Sequence, residues 1–369
     1  MLKFTILDRY MLTELAGPFG FGLGAFTLIF AATEILNVGK LVSSEHAPLW
    51  AAVLVFAWSL PAYIVLVIPM ALLLGTLLAI QRLSSDSELT AMKAAGVTFG
   101  RIVMPLLAVG IVMSFVTLFL QEALVPYAND QLVEIESSVI NHTSAYGRDL
   151  TVTAPLPGGG RQVTVATAYE PNSEALLHVT LIQYDSRNRP RQIVFADRAE
   201  FTADKWLLQD SSLYRFNPDG SVLAEPPIPQ QQVEIGQNPT DLVKRIKNDD
   251  PDNMSRAQIA GIVRTGQLTE SELRKYVTTY QEKLARPFAC FVFILIAVPF
   301  GLRTIRSGGS SASLGFGLSL AIVFVYYIVM TVCSFFGEAF LAIAWLWAWM
   351  PNLLFTAIGL ARLRRAALV

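Results

Sequence analysis

Long apolar runs separated by polar stretches dominate the chain, and this pattern predicts helices that cross a membrane. A helix needs about 20 residues to cross the roughly 30 Å hydrocarbon core of a bilayer. Six runs have this length, near Gly17–Leu36, Ala51–Ile80, Ile102–Leu120, Leu284–Leu302, Ala312–Phe336 and Phe340–Leu360. Three runs come before a long polar region and three come after it. We therefore predict a polytopic α-helical membrane protein with six transmembrane helices (3+3).

Within the polar region the pattern becomes the alternation that is typical of half-buried β-strands. In Leu177–Leu181 the odd positions are apolar and share one face, while His178 and Thr180 take the other face. Further strands and Gly- or Pro-rich turns are predicted at Arg191–Phe201, Trp206–Phe216, 157–160 and 217–220. Short strands at this spacing predict an inserted all-β domain of the jelly-roll, sandwich or barrel type.

These patterns divide the chain into three segments. Residues 1–124 hold spans one to three, residues 125–280 hold the β domain with a helical connector at its C-terminal end, and residues 281–369 hold spans four to six. The connector includes a predicted helix at Ser255–Thr265. Just before it, Asp249–Asp252 forms an acidic turn, for which a solvated loop is favoured over a calcium site.

A short polar helix, residues 84–96, is predicted between spans two and three. Ser85 followed by Glu88 has the spacing of a capping box at the start of a helix. Gly96 is a suitable C-cap, because glycine accepts the left-handed conformation in which helices often end. The predicted helix is therefore closed at both ends and compact.

The side chains of this helix form a small apolar face and a charged first turn. Leu89 and Met92 are three residues apart, which places them on one face. Arg82 and Asp86 have the spacing of an exposed i,i+4 ion pair. A compact charged helix between two spans is suited to docking a soluble partner, and a plain capped loop is the alternative interpretation.

Composition supports a membrane protein, because 53% of the residues are hydrophobic and only 15% are charged. Both cysteines, Cys290 and Cys333, fall inside predicted spans, which excludes a disulfide framework and favours a packing role.

The sequence contains no Gly-x-x-x-x-Gly-Lys-Ser/Thr run, so the chain lacks a P-loop for ATP. Spans two, three, five and six contain no Asp, Glu, Lys, Arg or His, so an ion relay is poorly supported. If such a chain performs transport, its energy is therefore expected from a partner.

Basic residues near the ends of the spans predict the orientation of the chain. With an even number of spans, one side of the membrane collects Lys3, Arg9, Arg82, Lys93, Arg101, Arg303, Arg306, Arg362, Arg364 and Arg365. The short loops on the opposite side hold little beyond Lys40. Since basic residues concentrate on the cytoplasmic side, we expect both termini and residues 84–96 in the cytosol and the β domain outside.

Six motifs follow one another along the chain. They are Leu7-Asp8-Arg9-Tyr10, Ile68–Gly75, Ser87–Gly96, Lys283–Pro287, Val298–Gly301 and Trp349–Asn352. In this order, and over essentially the whole length, they resemble the lipopolysaccharide-export permease family, LptF/LptG. The most specific of them is Ser87–Gly96, with the sequence SELTAMKAAG.

The resemblance implies a permease subunit of an ABC-type exporter in the bacterial inner membrane. In that family a second permease subunit pairs with the chain, and a dimer of a cytosolic ABC ATPase supplies the energy. The pair extracts lipopolysaccharide or a similar glycolipid and passes it to a periplasmic β-jelly-roll bridge. The resemblance also implies a non-catalytic chain with no cofactor, no metal and no nucleic acid partner.

The resemblance assigns roles to several residues as well. The coupling helix of the family matches residues 84–96, and its glutamate, which seats in a groove of the ATPase, matches Glu88. The other residues assigned to coupling are Arg82, Asp86, Leu89 and Met92. The alternative for Glu88 is that it only completes the capping box of its own helix.

Weaker assignments fall on span one. Lys40 lies near the point where the family holds the phosphates of its lipid, although a span-end lysine also snorkels to headgroups without any substrate. Gly20 and Gly24 form a small-xxx-small pair, which allows close approach of helices. Because span one lines a lateral opening in the family, this pair is assigned to a gate. Glu34 would oppose an anion at Lys40 unless the two residues pair.

Two other hypotheses belong to different classes. The chain could be a membrane-anchored assembly or binding protein, which recruits partners through its periplasmic β domain without transport. It could also be a mechanotransmitting permease of the lipoprotein-release kind. Those proteins typically have four spans around a large domain, so six symmetric spans argue against this last hypothesis.

Overall fold

The computed structural model describes residues 5–44, 48–135, 150–156, 160–170, 173, 175–187, 189–202, 205–216, 221–226, 228–233, 250–265, 268, 270–304 and 311–367. Its α-helices are α1 (Ile6–Ser44), α2 (Leu49–Ser85), α3 (Glu88–Ala94), α4 (Phe99–Phe119), α5 (Val125–Ile135), α6 (Arg256–Thr265), α7 (Glu270–Ala285), α8 (Ala289–Thr304), α9 (Ser311–Ala339) and α10 (Ala344–Ala367). A π-helical turn, Leu120–Leu124, joins α4 to α5, and a 3-10 turn, Arg286–Phe288, joins α7 to α8.

Six helical stretches in the described part of the chain are long and apolar enough to cross a membrane, which confirms the predicted fold class. They are Ile6–Ser43, Leu49–Ser85, Phe99–Ile135, Glu270–Leu302, Leu314–Ala339 and Leu341–Arg365. Each overlaps one predicted apolar run. At a rise of about 1.5 Å per residue, the longest of them extend well beyond the hydrocarbon core at their ends.

Helix α2 forms the centre of the bundle together with α8. The apolar window of α2 is 72% buried within the chain, whereas those of α1 and α9 are 17% and 22% buried. Leu74 and Leu77 of α2 share a buried cluster with Phe293 of α8 and Tyr326 of α9. Helices α1 and α9 therefore keep most of their apolar surface for lipid or for another chain.

Helix α1 approaches α2 so closely that their backbones touch. A Cβ atom added at Gly75 would lie 2.9 Å from the Cα of Phe19, and one added at Gly22 would lie 3.2 Å from the Cα of Ala71. Residues without a large side chain permit this contact, as in other membrane helix pairs. The predicted pair Gly20 and Gly24 is not part of this contact, because a Cβ at either position would have no neighbour within 4 Å.

The insertion between spans three and four forms one antiparallel sheet, as predicted. Its described strands are β1 (Leu150–Leu156), β2 (Gly160–Ala166), β3 (Ala168–Glu170), β4 (Ala175–Tyr184), β5 (Pro190–Thr202), β6 (Lys205–Phe216), β7 (Val222–Ala224) and β8 (Ile228–Val233). They neighbour one another in the order β1-β2-β4-β5-β6-β7, with β3 against β4 and β8 against β6. The predicted turns at 157–159 and 217–220 lie outside the described residues.

A line of irregularities crosses the three longest strands of the sheet. His178 of β4 and Asp210 of β6 have positive φ values of 49° and 52°. The strand pairings skip Asp197 of β5, which lies between them. The register of the pairings is the same on both sides of this line, so the ladders are interrupted there without an inserted residue. The shift of register lies elsewhere, between Gln183 and Tyr184 of β4.

The left-handed conformation at His178 also changes which side chains reach the core. Leu176 and Val179 are both 1% exposed although they are three residues apart, and Leu181 is buried as well. The predicted alternation therefore holds for Val179 and Leu181 and is wrong for Leu177, whose place in the core is taken by Leu176. Trp206, which is 1% exposed, completes this core.

The predicted connector helix is α6, which begins one residue later than expected. The backbone N–H of Ser255 donates to the side-chain oxygen of Gln258 (2.7 Å), and the N–H of Gln258 donates to the hydroxyl of Ser255 (3.2 Å). This reciprocal pair is a capping box, which fixes the start of the helix.

We expect Gly75→Ala to lower the free energy of unfolding by about 1–3 kcal/mol, because the new methyl group would overlap the backbone of Phe19, which cannot rotate away. Gly24→Ala is the matched control. It has open space around it, and alanine favours a helix over glycine. Denaturant unfolding of the full chain in detergent micelles, followed by circular dichroism, measures both. Equal losses from the two variants would contradict the α1–α2 contact described here.

Candidate functional site

The helix between spans two and three is α3, and it is shorter than predicted. Helix α2 continues to Ser85, and the chain then turns at Ser87, whose φ is 59°, before α3 begins at Glu88. The predicted capping box of Ser85 with Glu88 is wrong. The N-cap residue is Ser87, and its side chain makes no capping hydrogen bond.

The end of α3 follows the prediction. Gly96 has a φ of 85°. Its N–H donates to the carbonyl of Lys93 (2.9 Å), and the N–H of Val97 donates to the carbonyl of Met92 (3.0 Å). This pair of bonds is the Schellman motif, which ends a helix and turns the chain sharply. The predicted C-cap at Gly96 is confirmed, and the chain passes directly into α4.

The apolar face of α3 packs on the bundle of its own chain. Leu89 is 4% exposed and lies in a buried cluster with Met11 and Leu15 of α1 and Phe99 of α4. Met92 is half-buried against the same cluster. This face is therefore not open for a partner. In any coupling role, Leu89 and Met92 act by holding α3 in place on its own chain.

The first turns of α1 make polar contacts on either side of the Ser87 turn. The Tyr10 hydroxyl donates a hydrogen bond to a carboxylate oxygen of Glu88. Glu14, one turn later, pairs with Arg82 at the end of α2. Arg82 also lies 3.7 Å from Asp86, so the predicted i,i+4 pair forms, and both of its members are exposed.

A third contact ties α1 to the start of α4. The guanidinium of Arg101 donates two hydrogen bonds to the carboxylate of Asp8, at 2.6 and 2.8 Å, and one to the hydroxyl of Thr5 (2.8 Å). A bidentate ion pair of this kind fixes the relative orientation of the two side chains in addition to pairing their charges. We call Asp8, Tyr10 and Glu14 the α1 clasp, because each contacts a different element around the turn.

The residues assigned to the lipid path lie on the outer surface of α1. Lys40 is exposed near the end of the helix. Gly20 and Gly24 are also exposed and contact no other part of the described chain. Their assignments to lipid binding and to a gate stay predictions, since any close partner of the two glycines must come from another molecule.

Glu34 is held by α2 and not by Lys40. Its carboxylate is buried and accepts hydrogen bonds from Tyr63 (2.7 Å), Ser59 (3.1 Å) and Asn37 (3.3 Å). A carboxylate engaged by three donors is fixed in position. The Lys40 ammonium is therefore left without an acidic partner among the described residues.

A buried cluster of charged side chains at the opposite end of the bundle was not predicted. Lys283 of α7 is 0% exposed, and its Nζ donates to the backbone oxygen of Asp252 (2.7 Å). Arg286 pairs with the carboxylate of Asp252 (2.7 Å) and with Glu282, which also accepts a hydrogen bond from Ser334 of α9. Asp252 thus anchors the connector, while its side chain stays 44% exposed, which agrees with the predicted solvated loop.

A cavity of about 350 Å³ lies beside this cluster, between α2, α4, α8 and α9. Arg286 and Asp252 line one part of it, and Tyr63, Leu66 and Tyr327 line another. The Nε of Arg286 is buried without a hydrogen-bond partner in the described part of the chain. An apolar cavity with one unsatisfied donor can hold an alkyl chain beside a polar group or a small number of water molecules.

Comparison with known proteins identifies the family. The sequence profile described as "Lipopolysaccharide export system permease LptF/LptG" matches residues 9–365. The chain belongs to the LptF/LptG family. This match confirms the resemblance that the motifs carry, and it makes the chain an inner-membrane, multi-pass LptF/LptG permease of lipopolysaccharide export at the level of the family.

A curated member of the LptF/LptG family aligns with nearly the whole chain. The "Lipopolysaccharide export system permease protein LptG" of Haemophilus influenzae is 20% identical over 351 residues, which cover 95% of each protein. The alignment extends through both sets of spans and the inserted sheet. The similarity is therefore not confined to one segment of either protein.

We expect Lys283→Met to destabilise the chain by about 1–3 kcal/mol, because it removes the donor of the hydrogen bond to the backbone oxygen of Asp252 and leaves that carbonyl unpaired beside a buried side chain. Lys275→Met is the matched control on the same helix. Lys275 is half exposed and only approaches Asp250, at 3.4 Å, so its loss should cost no more than about 0.5 kcal/mol. Denaturant unfolding in detergent measures the difference, and similar losses would show that the cluster is not structurally important.

Proposed function

We propose that this chain is one permease subunit of an ABC-type exporter, which extracts lipopolysaccharide or a similar glycolipid from the inner membrane and passes it to a periplasmic β-jelly-roll bridge. A dimer of a cytosolic ABC ATPase binds at α3, and a second permease subunit completes the path. Both termini and α3 lie in the cytosol, and the sheet lies in the periplasm. The chain is non-catalytic, because its partner hydrolyses the ATP.

The placement of α3 is the observation that carries this proposal. Its buried face fixes it to the ends of α1, α2 and α4, while Thr90, Lys93 and Ala94 remain exposed. A force applied to the exposed face is passed to three spans at once, since packed helices move as units. A short solvated loop without Leu89 would pass on no such force.

The source of energy also supports a partner ATPase. The chain has no P-loop. An ion-driven transporter usually carries ionisable side chains along a path through its spans. Glu34 of α1 is buried and engaged by hydroxyl and amide donors, and none of the residues described as bonding to it is a second acid that could form a relay. ATP hydrolysis by another chain is the source that remains.

The basic side chains support the orientation. Lys93 lies on α3 itself, Arg82 and Arg101 lie on the adjoining ends of α2 and α4, Arg9 lies in the first turn of α1, and Arg364 lies in the last turn of α10. Basic residues beside spans favour the cytoplasmic side. An end of the bundle with this charge is the side at which a cytosolic ATPase binds.

Helix α1 provides a surface for lipid and for the second subunit. Large apolar side chains such as Phe21, Leu28 and Leu36 are exposed on it, and Gly20 and Gly24 lie open between them. Lys40 at its outer end supplies a cation for a lipid phosphate. In this proposal the lipid enters beside α1 and leaves towards the sheet.

A membrane-anchored assembly protein without transport is the second hypothesis. The observation that favours it is the antiparallel sheet, in which β1 is an edge strand among the described strands. Purification of the full chain from its own membrane, with the complexes kept intact, separates the two. Co-elution of an ABC ATPase together with a bound glycolipid, detected by mass spectrometry, is expected of the exporter. Periplasmic partners without an ATPase or a glycolipid would instead establish the assembly protein.

We expect Glu88→Ala and Glu88→Lys to weaken ATPase binding by at least about tenfold, since loss of one side of a charge-assisted contact costs about 1.5–3 kcal/mol. The sheet should stay folded, because Glu88 is remote from it in the chain. Binding of the ATPase to the immobilised full-length permease is the measurement. Glu338→Ala, an acid at the opposite end of the bundle, is the matched control, and unchanged binding by both Glu88 variants would exclude the coupling role.

A further inference from the structure

The contact between Tyr10 and Glu88 joins a span to the helix that the proposed function assigns to the ATPase. The Tyr10 hydroxyl donates to Oε2 of Glu88, and among the described residues the other oxygen, Oε1, has no hydrogen bond. Tyr10 is half-buried, so its ring is held in place while its hydroxyl reaches the surface. One carboxylate oxygen of Glu88 is therefore fixed and the other is free.

The backbone of α3 does not by itself fix Glu88. The helix has only 7 residues, and its N-cap residue Ser87 supplies no side-chain hydrogen bond. A half-buried glutamate at the first position of such a helix still has several rotamers, and ordering them reduces the affinity for a partner. The hydroxyl of Tyr10 removes this freedom before a partner arrives.

The tyrosine is in turn fixed by its neighbours on α1. Met11 is 0% exposed and Leu15 is 4% exposed, and both lie in the cluster that holds Leu89. The pairs of Asp8 with Arg101 and of Glu14 with Arg82 lie on either side of Tyr10 along the helix. Tyr10 is thus the central contact of the α1 clasp.

We propose that Tyr10 is a positioning residue for Glu88, which holds the carboxylate ready for a cation of the ATPase and ties α3 to the start of span one. This inference rests on the proposed function, because it requires that Glu88 contacts the ATPase. It adds a direct route from the coupling helix to span one, whose outer surface carries Gly20, Gly24 and Lys40. The route does not pass through the buried centre of α2.

A double-mutant cycle on the full-length permease tests this proposal, with the ATPase that co-purifies with the wild-type chain as the probe. Tyr10→Phe removes only the hydroxyl, and we expect it to raise the Kd about fivefold, as for the loss of one hydrogen bond. In the Glu88→Ala background the same change should have no effect on the Kd, because the carboxylate that the Tyr10 hydroxyl holds is already gone. A purely structural role of Tyr10 would instead weaken binding equally in both backgrounds. Thr13→Val, which removes an exposed hydroxyl bonded only to the carbonyl of Arg9, is the control and should leave the Kd unchanged.

The outcomes of the cycle are distinct. If Glu88→Ala weakens binding and Tyr10→Phe does not, the positioning role is wrong and the proposed function stands. If Tyr10→Phe weakens binding equally in both backgrounds, Tyr10 does not act through Glu88 and the proposal is overturned. If Glu88→Ala itself leaves binding unchanged, the coupling role of Glu88 fails, and the positioning role fails with it.

Discussion

The backbone contact between α1 and α2 is the constraint on which the rest of the bundle depends. Inside a bilayer, lipid tails are as apolar as leucine, so helices associate through close packing and not through the hydrophobic effect. Gly22 and Gly75 allow this packing on both helices. With α1 fixed to α2 along its length, Glu34 reaches its donors on α2 near one end, and the α1 clasp reaches α3 near the other. Few other contacts hold α1, whose apolar window is only 17% buried.

The two ends of the bundle use different chemistry for different tasks. At the α3 end, the basic member of each ion pair is partly exposed, Arg82 to 60% and Arg101 to 35%, so these pairs cost less to rearrange than fully buried ones. At the end that joins the sheet, Lys283 and Glu282 are buried in a network with Arg286, where a broken pair is costly. This difference agrees with the proposed function. The ion pairs around α3 can rearrange when the subunit receives motion there, while the buried network keeps the connector to the sheet in a fixed position.

Elements with a local signal could be predicted from the sequence, whereas contacts between distant segments of the chain could not. Apolar runs located all six spans, alternation located the longest strands, and Gly96 ended α3 as expected. The spacing of Gly20 and Gly24 gave no indication of the α1–α2 contact that Gly22 and Gly75 make, because spacing does not tell which face of a helix meets its neighbour. The Lys283 cluster was missed for a similar reason, since Ser334 lies on a span that comes 52 residues after Glu282. The left-handed turn at Ser87 has no strong local signal, because serine seldom adopts that conformation.

The central claim is that ATP hydrolysis by a partner moves lipid along this chain. Reconstitution of the permease with its second subunit and its ATPase in vesicles that contain lipopolysaccharide tests it most directly, with a soluble periplasmic acceptor outside and photocrosslinking to detect transfer. The account predicts transfer that requires ATP and stops when hydrolysis is blocked. Active hydrolysis without transfer, or equal transfer in the absence of ATP, would contradict it.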